Sequence, residues 1–194
     1  MALRALTLAA AVAFAGCATA AAQGGAWLDR SPLANWNTAG DKVPAAPAPD
    51  GDRASRERCA ATVRRATTAD DEAVERSGWV LVGPLQTFSG TAIVTGTADF
   101  DGMCRPVRYQ LLAFVDGAFA GTLSPSLMTS RTDGAQSRLF LYRASELSSE
   151  FLRYREADPL CCPSAVSRVE YKIERQSGGP VLVPVSASTA PTSK

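Results

Sequence analysis

The chain has 194 residues with 20 basic and 19 acidic side chains, which gives a formal net charge of +1. This length suffices for one domain with a hydrophobic core, and the balanced charge gives no electrostatic basis for binding nucleic acid. The sequence contains no histidine, which excludes Ser-His-Asp and Cys-His relays, HExxH zinc sites and histidine pH switches. Composition thus argues against several enzyme classes without identifying an activity.

The N-terminus has the pattern of an export signal. Arg4 precedes an apolar run from Ala5 to Gly16. A helix that crosses ~30 Å of hydrocarbon needs about 20 apolar residues, so this run is too short to span a membrane. Its length and its basic flank are typical of a signal peptide.

The apolar run ends in Phe14-Ala-Gly-Cys17, which resembles the bacterial lipobox except that Phe14 stands where Leu is usual. The resemblance implies that residues 1–16 are removed and that Cys17 is lipidated. The exported protein would then be anchored to the cell envelope, on the outer membrane facing the periplasm if the host has two membranes. The alternative is an ordinary secretory leader cut after Ala18-Thr-Ala20.

Residues 17–51 are predicted to form a lipid-anchored tether. The segment is rich in Ala and Pro, and the three prolines between residues 44 and 49 favour extended backbone that does not pack into a core. Trp27 and Trp36 are unusual in such a segment. Either they dock on a partner or, as we favour, they fold back onto the flank of the domain.

A single domain is predicted over residues 52–185, followed by a flexible polar tail over residues 186–194. Helical patterns cover residues 54–65 and 69–77. Thr68 is a suitable N-cap for the second helix, because three acidic residues follow it in the first turn.

From Trp79 onward the apolar pattern changes to a period of two. Asp116-Gly117 is suited to a tight hairpin turn, and Pro184 marks the last strand as an edge strand. Strands are predicted over residues 79–88, 91–98, 106–115, 118–123, 137–143, 149–154, 167–175 and 180–185. The predicted fold class is α+β, with short N-terminal helices followed by an antiparallel β-meander that forms a sandwich or open barrel stapled by disulfides.

Four cysteines remain when Cys17 is set aside, namely Cys59, Cys104, Cys161 and Cys162. In an exported chain they predict two disulfides. Adjacent cysteines on extended backbone point to opposite faces, so Cys161 and Cys162 are expected to bond to Cys59 and Cys104, in an order that the sequence leaves open. A zinc site is the less favoured alternative, because C-x₂-C spacing is missing. We predict no metal and no cofactor.

Several segments resemble the LppP/LprE-type bacterial lipoproteins, over roughly residues 55–175. The resemblance rests mainly on a Cys-Cys-Pro-Ser segment behind a lipobox. It is carried by Asp158–Ser164 with the strand Arg168–Glu174, and by Asp101–Pro106, Phe119–Pro125 and Ser130–Gly134. It implies a small, disulfide-bonded domain at the cell envelope, and it brings no established activity or catalytic residues.

Three loops gather polar side chains that could form a ligand surface for an anion, a cation or a glycan. The loops are 99–106, 124–134 and 156–164, and disulfides between the first and third would bring them together. The candidate residues are Asp99, Asp101, Arg105, Arg131, Asp133 and Asp158. The favoured alternative is that the aspartates form turns and that the arginines are solvated.

The function predicted from the sequence is that of a noncatalytic binding or scaffolding module at the cell envelope. Its expected partners are the membrane, through the lipid anchor, and an envelope protein or cell-wall glycan, with no nucleic acid. The alternative is a carboxylate-dependent hydrolase of cell-wall glycans, for which a carboxylate pair would be needed. Its candidate carboxylates are Glu146, Glu150, Glu156 and Asp158.

Overall fold

The computed structural model describes residues 24–51 and 53–192. The predicted signal peptide and the lipidation site Cys17 lie outside these residues. No helix in the described part is long and apolar enough to cross a membrane.

The helices are short. Helix α1 spans Arg53–Arg58 and helix α2 spans Ala69–Arg76, and two single 3₁₀ turns cover Ala26–Asp29 and Ala60–Thr62. The side chain of Thr68 accepts a hydrogen bond from the N–H of Asp71, which confirms the predicted N-cap of α2.

The strands form two antiparallel sheets. The first sheet contains β1 (Val80–Leu81), β2 (Gln86–Phe88), β3 (Thr91–Phe100), β4 (Pro106–Val115) and β5 (Ala118–Thr122), in the order β1-β3-β4-β5 with β2 also paired to β3. The second contains β6 (Gln136–Arg143), β7 (Glu146–Arg153), β8 (Ala165–Gln176) and β9 (Gly179–Pro191), in chain order. The Asp116-Gly117 turn joins β4 to β5 as predicted.

The predicted α+β class is wrong, because the chain is 45% strand and only 11% helix. The helix predicted over residues 54–65 ends at Arg58. Beyond it, Val63 pairs with Val82 and the N–H of Arg64 bonds to the carbonyl of Leu81, so the backbone there belongs to the edge of the first sheet. A barrel is also absent from the described residues, where no strand pairing joins the two sheets.

The main hydrophobic core lies between the two sheets. Ile93 and Leu111 of the first sheet are buried in one cluster with Phe151, Tyr171 and Leu182 of the second. The hydroxyl of Tyr171 donates to the carbonyl of Leu123, which satisfies its polar atom in this apolar setting. The period of two predicted from Trp79 onward is confirmed along β8, where Val169 and Tyr171 are buried and Arg168 and Lys172 face solvent.

Residues 24–51 lie against this core. Trp27 is 6% exposed and belongs to the main cluster, and the indole N–H of Trp36 donates to the carbonyl of Thr122. The interpretation in which the tryptophans fold back is therefore confirmed, and this part of the predicted tether packs on the sheets. Asn37 donates from its amide to the carbonyls of Thr122 in β5 and Leu182 in β9, so it joins the two sheets along one edge.

The predicted flexible tail also differs in the structure. Strand β9 extends to Pro191 and pairs with β8 as far as Ala165. The hydroxyl of Thr189 bonds to that of Ser167, and the N–H of Thr192 bonds to the carbonyl of Ser164. Polar side chains are compatible with a strand here because this end of β9 is an exposed edge.

Candidate functional site

The disulfide connectivity differs from the prediction. Cys59 is bonded to Cys104, and Cys161 is bonded to Cys162. The prediction that Cys161 and Cys162 reach distant partners is wrong because its premise, an extended backbone, fails. The N–H of Cys162 bonds to the carbonyl of Pro159, which closes a turn in which the two cysteines can approach each other.

The first predicted ligand loop is stabilised by its own turn contacts. Asp99 is 3% exposed and accepts hydrogen bonds from the N–H groups of Phe100 and Gly51. Asp101 accepts N–H bonds from Met103 and Arg105 and an additional bond from Arg105 Nε at 2.6 Å. Burial raises the pKa of both carboxyls, but the hydrogen bonds and the nearby arginines outweigh it and lower each pKa.

The other candidate residues have separate partners. Asp133 accepts from Arg153 Nε and from the N–H of Tyr154, each at 3.0 Å. Asp158 accepts from the N–H groups of Arg155 and Ser164, and these bonds lower its pKa. Arg131 lies exposed in a turn at a φ of 61°.

The contacts described above do not join the six predicted residues into one ligand surface. Loops 99–106 and 124–134 do meet, since the N–H of Ser130 bonds to the carbonyl of Pro106. Loop 156–164 has no disulfide to either one, and its described hydrogen bonds run within the loop or to Tyr154, Arg155 and Thr192. The aspartates act as turn formers, which agrees with the favoured alternative from the sequence.

Two of the four candidate carboxylates are paired with neighbouring arginines. Glu146 is paired with Arg143 and Glu150 with Arg138. Hydrogen bonds lower the pKa of Asp158, whereas the acid of a glycosidase needs a raised pKa.

Among residues 24–51 and 53–192, no group of three or more Cys, Asp or Glu is placed to hold a metal ion.

The structure adds a concave feature that the sequence did not predict, a cleft between the edge strands β2 and β6 of the two sheets. We call it the β2–β6 cleft. It consists of two hollows of about 310 and 550 Å³, which share Gln86 of β2 and Leu139 of β6 as lining residues. Tyr109 and Leu111 line the first hollow, so the cleft reaches residues of the core.

Contacts hold the two sheets together at both ends of the cleft. At one end, the hydroxyl of Thr91 donates to the carbonyl of Ala144 at 2.6 Å. At the other end, the hydroxyl of Tyr109 accepts from the N–H of Gln136 at 2.8 Å. The two sheets are therefore joined by hydrogen bonds on both sides of the cleft.

Sequence reasoning did not find this cleft, although β6 carries a signal for it. Leu139 and Leu141 point one way along the strand, and Phe140 and Tyr142 point the other way. The core covers only one face of an edge strand. When both faces are apolar, as in β6, the second face remains for another contact. Phe140 is covered in part by the guanidinium of Arg168, 5.1 Å from the ring centroid.

Comparison with known families identifies residues 86–176 as a match to the LppP/LprE lipoprotein family. This match covers just under half of the chain and includes strands β2 to β8. Neither the curated proteins nor the solved structures gave a match. The resemblance inferred from the sequence is confirmed over this segment.

Proposed function

We propose that the protein is an envelope lipoprotein anchored through Cys17, and that its folded part is a noncatalytic binding module. In this proposal an extended segment of an envelope protein binds along the β2–β6 cleft and pairs as an added β-strand with the edge of β6. The observation that carries the proposal is that β2 and β6, each paired along one side only among the described residues, both line this cleft.

The edges of β2 and β6 have backbone groups available to a ligand strand. Within the described residues, β2 pairs with β3 and β6 pairs with β7, each along one side. An edge strand carries unpaired N–H and C=O groups, and proteins use them to bind extended peptides by strand addition. Leu139 and Leu141 would supply the apolar contacts on the inner side of such a strand.

The charges around β6 favour an acidic ligand. Arg138 is 73% exposed while its partner Glu150 is 21% exposed, and Arg143 is 70% exposed while Glu146 is 33% exposed. In both pairs the cation extends further into solvent than the carboxylate. A segment that carries Asp or Glu would therefore find electrostatic complementarity along this edge.

The binding proposal can be tested with peptides selected from a displayed library of acidic seven-residue sequences. The expected result is that a selected peptide slows amide hydrogen exchange in residues 86–88 and 137–143 of the full chain. Arg138→Glu should weaken its binding about tenfold, which corresponds to about 1.4 kcal/mol. Arg175→Glu is the matched control, because Arg175 is 71% exposed and pairs with Asp116 outside the cleft.

Protection confined to other strands, or equal losses in both variants, would contradict the cleft as the binding site. Failure of every library peptide to bind would contradict strand addition. Turnover of cell-wall glycans by the purified protein, abolished by Glu150→Gln or Asp158→Asn, would instead support the hydrolase alternative.

The anchoring proposal has its own test. Cys17→Ser expressed in the native host should remain an unprocessed precursor and should not incorporate a fatty-acid probe, because the acylated thiol is removed. Persistent labelling of this variant would contradict lipidation at Cys17.

A further inference from the structure

The distance between the lipid anchor and the folded part is short. Six residues, 18–23, separate Cys17 from Gly24, where the described structure begins. Gly24 packs against the backbone of Asp133, with no room between them for a side chain. Since an extended chain spans at most ~3.3–3.6 Å per residue, an anchor at Cys17 would hold this end of the domain within about 25 Å of the membrane.

The loop that follows β7 lies at the same end of the molecule. Asp133 accepts a hydrogen bond from the N–H of Tyr154 at 3.0 Å. The hydroxyl of Tyr154 donates in turn to the carbonyl of Leu160, also at 3.0 Å. A continuous series of contacts thus runs from the anchored end at Gly24 to residues Pro159–Pro163, which we call the 159–163 tip.

The 159–163 tip exposes apolar atoms on a constrained turn. Leu160 is 65% exposed, and Cys161 and Cys162 beside it are also exposed. The carboxylate of Asp158 accepts the N–H groups of Arg155 and Ser164, which closes the base of the loop. An exposed apolar residue on a turn that is already ordered can insert into a lipid surface with little loss of conformational entropy.

We propose that the 159–163 tip contacts the membrane that holds the lipid anchor, with Leu160 inserted at the headgroup level. The proposal rests on lipidation of Cys17. A single apolar side chain binds a membrane only weakly, but a short connection to the anchor keeps the tip at high local concentration near the lipid. The charges beside the tip are one cation, Arg155, and two anions, Glu156 and Asp158, so the contact needs no anionic lipid and should form on neutral lipid.

The contact would orient the domain. Strand β3 runs between the two ends of the domain. At its far end, Thr91 pairs with Phe88. At its near end, Phe100 pairs with Pro106, and the carbonyl of Pro106 accepts from the N–H of Ser130 in the loop that also contains Asp133. The ten residues of β3 place these ends about 30 Å apart, at about 3.3 Å per step. Phe88 is 43% exposed, so it serves as a matched control position that should stay away from the lipid.

The test uses the mature protein purified from its host's membranes and reconstituted in phosphatidylcholine vesicles that contain brominated lipid. In the Leu160→Trp variant, the emission of the added tryptophan should fall at least twofold relative to vesicles without bromine. In the Phe88→Trp variant, the added emission should not change. Equal emission with and without bromine for Leu160→Trp, or equal quenching of both variants, would overturn the proposal.

Two further measurements separate this proposal from the anchoring on which it rests. Incorporation of the fatty-acid probe at Cys17 is measured on the same samples. A labelled Leu160→Trp protein whose added emission is not quenched by brominated lipid overturns the tip contact alone. An unlabelled protein overturns the anchoring and the tip contact together. A spacer of twenty Gly and Ser residues inserted between Ala22 and Gln23 should reduce the quenching at least twofold. Undiminished quenching with the spacer would overturn the role of the short connection.

Discussion

Asp71 is a fully buried carboxylate whose contacts hold the start of α2 to the preceding chain. The two guanidinium nitrogens of Arg64 donate to its two oxygens, and both the N–H and the hydroxyl of Thr67 donate to one of them. Burial by itself raises the pKa of Asp71, but these hydrogen bonds outweigh it and lower the pKa to about 2. The folded state therefore binds the charged form more strongly than the unfolded chain does.

We expect Asp71→Asn to lower the free energy of unfolding by about 2 kcal/mol at pH 7, because a pKa shift of one unit corresponds to about 1.4 kcal/mol. A carboxyl with a lowered folded-state pKa stabilises the protein above its unfolded pKa, and this stabilisation is lost as the pH falls toward 2. The difference between the two proteins in urea unfolding should shrink to about half at pH 3.

Glu72→Gln is the control for Asp71→Asn, because Glu72 pairs with Arg76 at the exposed surface of the same helix. Exposed pairs contribute about 0–1 kcal/mol, so this variant should unfold almost as the unchanged protein does. A pH-independent loss in Asp71→Asn would show that the carboxylate charge is not the source of the stabilisation.

At the residue level, turn chemistry was predictable and ligand chemistry was not. Asp101 binds the N–H groups of Met103 and Arg105, a local pattern that short polar side chains adopt in turns. The proposed gathering of Asp101 with Asp158 depended on a disulfide between their loops. The pairing of the four cysteines depends on the backbone conformation at Cys161 and Cys162, which is a turn and not the extended segment that the sequence suggested, so that step could not be made from sequence alone.

At the element level, strands were predictable wherever a single face is buried. Val169 and Tyr171 are buried on β8 while Arg168 and Lys172 face solvent, and this alternation is visible in the sequence. The N-terminal segment shows no such period. The two tryptophans predicted that this segment folds back onto the domain, but Asn37 finds its partners 85 and 145 residues away along the chain, so no local pattern could predict which strands the segment joins.

The packing of the N-terminal segment predicts that Trp27→Ala lowers the free energy of unfolding by about 3–5 kcal/mol. The ring of Trp27 makes edge contacts with Trp36 and with Phe151, at centroid distances of 5.0 and 5.2 Å, and its removal would leave a cavity between the sheets. Urea unfolding measures the change. Val185→Ala, at a side chain 48% exposed, should cost less than about 1 kcal/mol.

If Trp27→Ala lowers the free energy of unfolding no more than Val185→Ala does, residues 24–51 act as a tether that does not stabilise the fold. The short connection between anchor and domain would then lose its basis, since Gly24 would no longer mark the start of packed structure.

At the scale of the whole molecule, the two sheets are fixed to each other along one edge and open along the other. Asn37 joins β5 to β9 on the closed side, while β2 and β6 leave the cleft on the open side. The sequence shows the apolar outer face of β6 but not the position of β2 opposite it. That position depends on how the two sheets pack, which neither strand encodes alone.

The disulfides should differ greatly in their contribution to the stability of the whole molecule. The bond between Cys59 and Cys104 closes a loop with a sequence separation of 45 residues, and loop closure of that length stabilises by about 4 kcal/mol through the unfolded state. The bond between Cys161 and Cys162 joins neighbours and restricts almost no unfolded chain. In urea unfolding, replacement of Cys59 and Cys104 by serine should therefore cost several kcal/mol, and the same replacement of Cys161 and Cys162 less than about 1 kcal/mol.

Peptide mapping without reduction should recover Cys59 linked to Cys104. A peptide in which Cys59 is linked to Cys161 or Cys162 would contradict both the connectivity and this difference in stability.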